Sequence, residues 1–513
     1  MTRTDSTVRR PRPPIALSIG GLAACALVFL PIVYIAVRAT DRGWGAVEST
    51  LWRPRTLDLV WNTVGLALTV TSASIVLGVA AAWLVACTDL PGRRVLRVAL
   101  AVPLALPSYV AGWAWIGWRP ELAGFRGAAL VLISISYPYV YLPVLGALRR
   151  ADPGLAEVAR VAGRRPLAVF LTVTLRQIRP AVVAGALLVG LYVMSEFGAV
   201  ATMRFETLTR VIYQSYRASF DRTPAAVLGC LLIALTAVPL VLAVRWAGAG
   251  RVDRAGSGSA RLRPVVRLGA WRWPAFVGAC GVIAAVFAVP AWNLVRWVRR
   301  GSSSTSWSDV AEAFGTTLWI SAVAAVATVV VATPVAVLAA RHPGRLSTWS
   351  VWAAYAGHAL PGVVVALSLV FFGVRYAGSL YQRTPMLVVA YVVMFLSLAV
   401  GAIQAAVAHS SPALEQIAAS LGDRRAAVWR RVTVPLALPG FGSAATLVFI
   451  AVAKELPATL LLRPIGVDTL ATRLWSHTDA QQFAAAAPFA AALVLVAAVP
   501  TAVLTRAQLE GTS

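Results

Sequence analysis

The stretch DPGLAEVARVAGRR, residues 152–165, returns as SPALEQIAASLGDRR, residues 411–425, with matching positions 259 apart. Each copy opens on a residue suited to capping a helix N-terminus, Asp152 or Ser411. A proline follows at the first helical position, Pro153 or Pro412. Each copy closes on a glycine fit for a left-handed C-cap, Gly163 or Gly422, and arginines follow where the helix dipole favours cations. Between the caps, Leu155, Val158, Ala159 and Ala162 fall at i, i+3, i+4 and i+7, as do Leu414, Ile417, Ala418 and Leu421. Two short amphipathic helices are therefore expected. A helix of about ten residues is marginal alone in water, so its apolar face should pack against something.

Around these segments the chain is mostly apolar. Hydrophobic residues make up 59% of the 513 and charged residues 13%, against about a quarter charged in soluble proteins. Stretches of about 20 apolar residues, enough to cross a bilayer, recur along the whole length. Hydropathy marks about twelve spans, roughly 15–37, 60–87, 98–118, 127–147, 181–203, 225–244, 273–295, 314–340, 350–373, 385–408, 440–462 and 482–505. The fold class is an all-α polytopic membrane protein. The first span, Ile15–Val37, is long for a cleavable signal core and lacks a small-x-small site after it, so it is expected to be retained.

The net charge of +26 raises the question of nucleic acid. The arginines instead lie in short loops between spans, where they act as orientation signals, and no nucleic-acid partner is expected. The positive-inside rule places both termini and the basic loops 148–180 and 245–272 in the cytoplasm. Cys25, Cys87, Cys230 and Cys280 each fall within an expected span, without CxxC or metal-ligand spacing, which points to packing.

The segment AGAGRVDRAGSGSARLRP, 247–264, reads as a flexible linker. A cut there leaves two halves of six spans each. ALP at 105–107 recurs at 359–361, and PGR at 91–93 recurs at 343–345. An even number of spans per half gives both the same orientation, which describes two parallel six-helix repeats, each with its cytoplasmic loop helix.

EVARVAG (157–163), followed nine residues later by VTL, resembles the E-A-A-x-x-x-G-x9-I-x-L-P loop of binding-protein-dependent ABC importer permeases. QIAASLG (416–422), followed by VTVP (432–435), resembles it too. The resemblance implies that both helices are coupling helices seated on ATPase subunits. By position, Glu157, Ala159 and Gly163 match the motif in the first copy, and Ala418, Gly422 and Pro435 match it in the second. Val158 and Ile417 stand where the motif has alanine, Gln416 replaces the glutamate, and Arg176 replaces the final proline. Glu415, one position earlier, is the candidate substitute for the missing carboxylate.

The domain map implied is a tail with the first span (1–57), a first permease domain (58–246), a cytoplasmic linker (247–272), a seventh span with its outer loop (273–313), a second permease domain (314–505) and a tail (506–513). The partners implied are two copies of an ABC ATPase, an extracytoplasmic binding protein and the lipid bilayer of the inner or plasma membrane. The chain itself would bind no cofactor, since ATP and Mg belong to the ATPase. A P-loop needs a lysine on the phosphates, and Lys454, the only lysine, lies in a span. There is no HExxH and no nucleophile elbow, so no catalytic or metal-binding residue is expected.

That lysine opens KELPATLLLRP, 454–464. Glu455 and the Glu196 of SEFGAVATM (195–203) again differ by 259. Each is expected about 16 residues, or about 24 Å, beyond the cytoplasmic end of its fifth span, in the outer half of the bilayer. Charges at such depth are costly and face a protein interior or an aqueous path. Glu196, Lys454 and Glu455 are accordingly candidates for the translocation path, and an ion pair with Lys454 or a nearby arginine is the structural alternative. KELPATLLLRPIGVDTLATRLW (454–475), with SEFGAVATM and TLTRVIYQSY (207–216), resembles the fused permeases of iron(III) importers; thiamine, polyamine and phosphonate permeases share the architecture. Ferric ion is hard and prefers oxygen ligands, so two carboxylates are compatible with its passage. A more remote alternative is an ion-coupled secondary transporter, which also shows internal repeats but has no use for duplicated coupling helices.

Overall fold

The computed structural model describes residues 13–218, 221–247, 265–301 and 305–510. Most of the 247–264 linker and the outermost parts of both tails lie outside the described residues. Within them all regular structure is helix, apart from one isolated bridge between Thr88 and Val266. Among the described residues, nine helices are long and apolar enough to cross a membrane, and eleven if two bent helix pairs each count as one span. The final helix, Phe483–Glu510, is apolar over Phe483–Ala498. Of the expected twelve spans, two are broken into bent pairs, and the last, 482–505, falls on a helix described in full only over Phe483–Ala498.

The breaks fall on the duplicated ALP. Arg93–Ala105 and Ser108–Trp118 meet at 88°, and Arg345–Ala359 and Gly362–Tyr376 meet at 102°. A residue before proline is biased away from the helical region toward extended backbone. Leu106 (ψ 121) and Leu360 (ψ 130) are accordingly extended. Pro107 and Pro361 are extended too, and a new helix starts just after each. The duplicated PGR carries no such constraint: Gly92 is left-handed (φ 63), whereas Gly344 is extended.

The chain forms two compact units, and these are not its contiguous halves. One joins Met1–Asp41 to Glu312–Thr469; the other joins Arg42–Ala311 to Leu470–Ser513. In the former, helix Ile15–Thr40 packs against the broken span 345–376. Glycine lets it approach: a Cβ on Gly20 would lie 2.7 Å from Pro334, and one on Gly21 would lie 2.9 Å from Leu338. The Ser368 hydroxyl donates to the Pro31 carbonyl (2.8 Å), and Tyr34 meets Phe372 and Tyr376 edge-on. In the latter unit, helix Arg272–Arg300 lies against Ser108–Trp118, where the buried Asn293 amide donates to the Ala114 carbonyl. Phe483 stacks on Trp297 in the same unit. Hydropathy locates such helices without assigning their neighbours. In lipid, small residues and interhelical hydrogen bonds select the partners, and here those residues lie hundreds of positions apart.

The far end of the expected linker is tied down. The Val266 N–H donates to the Cys87 carbonyl (2.8 Å), the Asp89 N–H donates to the Val266 carbonyl (3.2 Å), and the Asp89 carboxylate accepts from Leu268 N–H (2.9 Å).

Candidate functional site

Both loop segments are helices, Pro153–Val161 and Pro412–Ser420. Their C-termini close alike. Gly163 (φ 80) and Gly422 (φ 96) are left-handed. Arg164 N–H reaches the Ala159 carbonyl (3.2 Å) and Asp423 N–H reaches Ala418 (3.1 Å), while the glycine N–H groups bond Arg160 and Ala419. This is the paired 6→1 and 5→2 closure of a Schellman motif. A Cβ on either glycine would meet nothing within 4 Å. Backbone conformation alone therefore selects glycine at both sites.

The N-termini differ. The Asp152 carboxylate accepts from Gly154 N–H (2.8 Å), whereas Ser411 makes no side-chain cap, contrary to its expected role. The second helix is held instead by Arg341. Its guanidinium donates to the Ser410 carbonyl (2.9 Å), the Ser410 hydroxyl (2.6 Å) and the Glu415 carboxylate (2.8 Å). The Thr433 hydroxyl donates to the same Glu415 oxygen (3.0 Å). Aligned on the duplicated PGR, Arg341 corresponds to Asp89, and positions 259 before Ser410, Glu415 and Thr433 carry Ala151, Ala156 and Thr174, so the first copy keeps only the threonine. Glu415 thus turns inward to Arg341, while Glu157 and Gln416 are exposed.

The face expected to pack is largely open. Val158 is 69% and Ile417 54% exposed, Leu155 and Leu414 are exposed as well, and Ala159 is half-buried. Among the described residues of the two helices, Ala156 and Ala418 turn fully inward. Each helix leans on a π-helical turn, Phe170–Thr174 or Trp429–Thr433, again 259 residues apart. Such turns are rare and concentrate at functional positions. Nothing in hydropathy foretold them.

The expected spans 181–203 and 440–462 are interrupted at their glutamates. One helix ends at Ser195 and restarts as Gly198–Thr202; the other ends at Ala453 and restarts as Pro457–Leu462. Both carboxylates are buried, and each caps the helix that follows it. Glu196 accepts from Ala199 N–H (3.0 Å) and from the Ser108 hydroxyl (2.6 Å). Glu455 accepts from the N–H groups of Ala458 and Thr459 (both 3.0 Å) and from the Thr459 hydroxyl (2.9 Å). Lys454, half-buried, ends the helix Val434–Ala453. A buried carboxylate is tolerable where backbone and hydroxyl donors surround it.

The hydroxyl donor comes from different places in the two repeats. Ser108 follows the first ALP; Gly362 follows the second, and a Cβ there would lie 2.9 Å from the Glu455 carboxylate. Thr459 supplies the hydroxyl instead, and its counterpart in the first repeat is Val200. Each glutamate therefore sits where two helix breaks meet, one at Leu-Pro and one at its own position. Ser108, Thr459 and Arg341 were not singled out in the sequence; the exchange of hydroxyl between 108/362 and 200/459 was the available signal. Among the described residues no group of three or more His, Cys, Asp or Glu side chains could hold a metal ion.

The model of the family described as binding-protein-dependent transport system inner membrane component matches this chain twice, over residues 74–246 and 332–508. The chain is 34% identical over 507 residues to the Fe(3+)-transport system permease protein FbpB 2 of Haemophilus influenzae, covering 96% of this chain and 98% of that relative. It is 30% identical over 241 residues to the sulfate transport system permease protein CysW of Escherichia coli, covering 42% of this chain and 83% of the relative. It is 27% identical over 226 residues to the molybdenum transport system permease protein ModB of Escherichia coli, covering 39% and 98%. The two family matches enclose both loop helices and both buried glutamates. With two copies of the family's domain in one polypeptide, the chain belongs to the binding-protein-dependent transport system inner membrane components, the permease subunits of ABC-type importers.

Proposed function

We propose that this permease carries iron(III) from an extracytoplasmic binding protein into the cytoplasm, driven by two ATPase subunits that dock on the two loop helices. The observation that carries the iron reading is the extent of the likeness: the Fe(3+) permease matches 96% of the chain, the sulfate and molybdenum permeases about two fifths. Two uncovered apolar helices on one chain match two ATPase copies, to which ATP and Mg belong. The arginine bias supports a cytoplasmic position for the loop helices and both termini.

In the first repeat, the apolar helix Phe170–Ser195 has 26 residues, about 39 Å, between the loop helix and Glu196. Glu196 then lies toward the outer end of its span, and Lys454 and Glu455 fall at the matching positions of the other repeat. The test is ATP-dependent uptake in vesicles containing the permease, its ATPase and its binding protein. Saturable iron(III) uptake is expected; transport of sulfate, molybdate or thiamine without iron would overturn the substrate while leaving an importer. Glu196→Gln with Glu455→Gln retains a carbonyl acceptor for each cap and removes the charge. If the charges assist passage, this variant should assemble normally and transport about tenfold more slowly, the effect of about 1.4 kcal/mol. Unchanged uptake would reduce both glutamates to helix caps.

A further inference from the structure

Beyond the helix break at Glu196 lies a cavity of about 290 Å³ within the unit that joins Arg42–Ala311 to Leu470–Ser513. Phe197, Tyr213 and Trp475 form an aromatic wall, with centroids 4.9 and 5.3 Å from that of Phe197. Arg204, Arg210 and Arg217 also line the cavity, against one acidic residue, Asp479. Among the described residues, none of the three guanidiniums is ion-paired with a carboxylate. Arg217 donates to the Tyr213 hydroxyl (3.2 Å) and lies over its ring. Arg210 is half-buried and Arg204 and Arg217 are exposed at the rim, so three like charges face one carboxylate and favour a bound anion.

The backbone supplies a second observation. Arg204 is left-handed (φ 53), and its N–H and that of Phe205 bond the Ala201 and Val200 carbonyls. It thus occupies the helix-closing position where glycine is the less strained residue. In the second repeat the counterpart, Arg463, is ion-paired with Asp468 in its own loop. Burial pulls the Arg210 guanidinium below its ordinary pKa, with Arg204 adding to the effect and Glu206 and Asp479 opposing it.

We propose that this cavity is a binding site for an oxyanion, gripped by the forked donors of Arg204, Arg210 and Arg217 against the aromatic wall. Guanidinium forks match pairs of oxygens on sulfate, phosphate or carboxylate groups. A bare trivalent cation would be repelled, so a metal ion using this cavity would enter with an oxyanion ligand. The inference stands apart from the iron assignment, since a free oxyanion satisfies it equally.

The test is equilibrium binding of labelled sulfate, inorganic phosphate, citrate and ferric citrate to the purified full-length complex. Ionic strength must be held fixed, because charge attraction is screened by salt. Saturable binding of at least one probe is expected. Arg204→Gly suits the left-handed backbone, so the fold should persist while affinity falls about tenfold or more; Arg210→Gln should do the same. Arg345→Gln, an exposed arginine elsewhere, should leave affinity unchanged. Ferric citrate binding more tightly than citrate would place the oxyanion on a metal ion; equal affinities would mark a free oxyanion. Absence of saturable binding for every probe, or wild-type affinity in the Arg204→Gly, Arg210→Gln double variant, would overturn the proposal.

Discussion

A permease carrying Val158→Asp and Ile417→Asp should retain about a hundredth or less of the ATPase subunits that copurify with the unmodified chain. Both side chains are exposed, so the carboxylates leave the permease's own fold almost undisturbed. If the helices dock in clefts, each change removes about 1.5–3 kcal/mol of apolar burial and forces a carboxylate into an apolar contact. A loss of 1.4 kcal/mol is tenfold in affinity, so a hundredfold loss at each site is a conservative expectation. Each single variant should weaken one of two sites, leaving intermediate retention. The readout is the molar ratio of ATPase to permease in the purified complex, with membrane content of permease as the folding control. A wild-type ratio in the double variant would remove the docking role from these helices.

Gly163→Val with Gly422→Val should lower ATP-driven uptake at least tenfold while membrane insertion stays within about twofold. A β-branched residue held at positive φ costs about 1–3 kcal/mol. No neighbouring atom would clash with the new Cβ at either site, so the whole cost falls on the closing turn and on the direction of the chain that follows. Asparagine, which tolerates the left-handed region, should restore much of the activity. Gly422→Val should be the milder single change, because Arg341 also ties that helix to Ser410 and Glu415. Uptake and basal hydrolysis measured in vesicles separate uncoupling from failed assembly. Normal uptake in the double variant would contradict a coupling role.

The loop helices were legible because caps are local chemistry: proline at the start and glycine at the left-handed end specify the same turns wherever they occur. Ser411 shows the limit. Its residue type suits a cap, yet the second helix is fastened by Arg341, 70 positions earlier, through a contact that no local pattern encodes. The offset of 259 shared by the loop helices, with the recurring ALP and PGR, revealed the repeat and paired Glu196 with Glu455. It did not reveal that each glutamate interrupts its span, since hydropathy averages over the few residues at a break. ALP was visible as a repeated tripeptide; proline disfavours a helical residue before it, but Pro31 and Pro334 lie inside helices, so the right-angle bend at Leu-Pro is not readable from the motif alone. Membership of helix Ile15–Thr40 in the unit of the second repeat depends on contacts such as Gly20 with Pro334, which no periodicity carries.

The most direct test asks whether each loop helix seats one ATPase subunit. Val158→Cys and Ile417→Cys, made singly and together with Cys25, Cys87, Cys230 and Cys280 all replaced by serine, can be treated with a short bifunctional thiol crosslinker in the active complex. The account predicts one ATPase subunit joined to the permease through either cysteine, two joined in the double variant, and neither cysteine reactive toward a soluble thiol reagent while the ATPase is bound. An active complex in which both cysteines stay freely reactive and join nothing would contradict it.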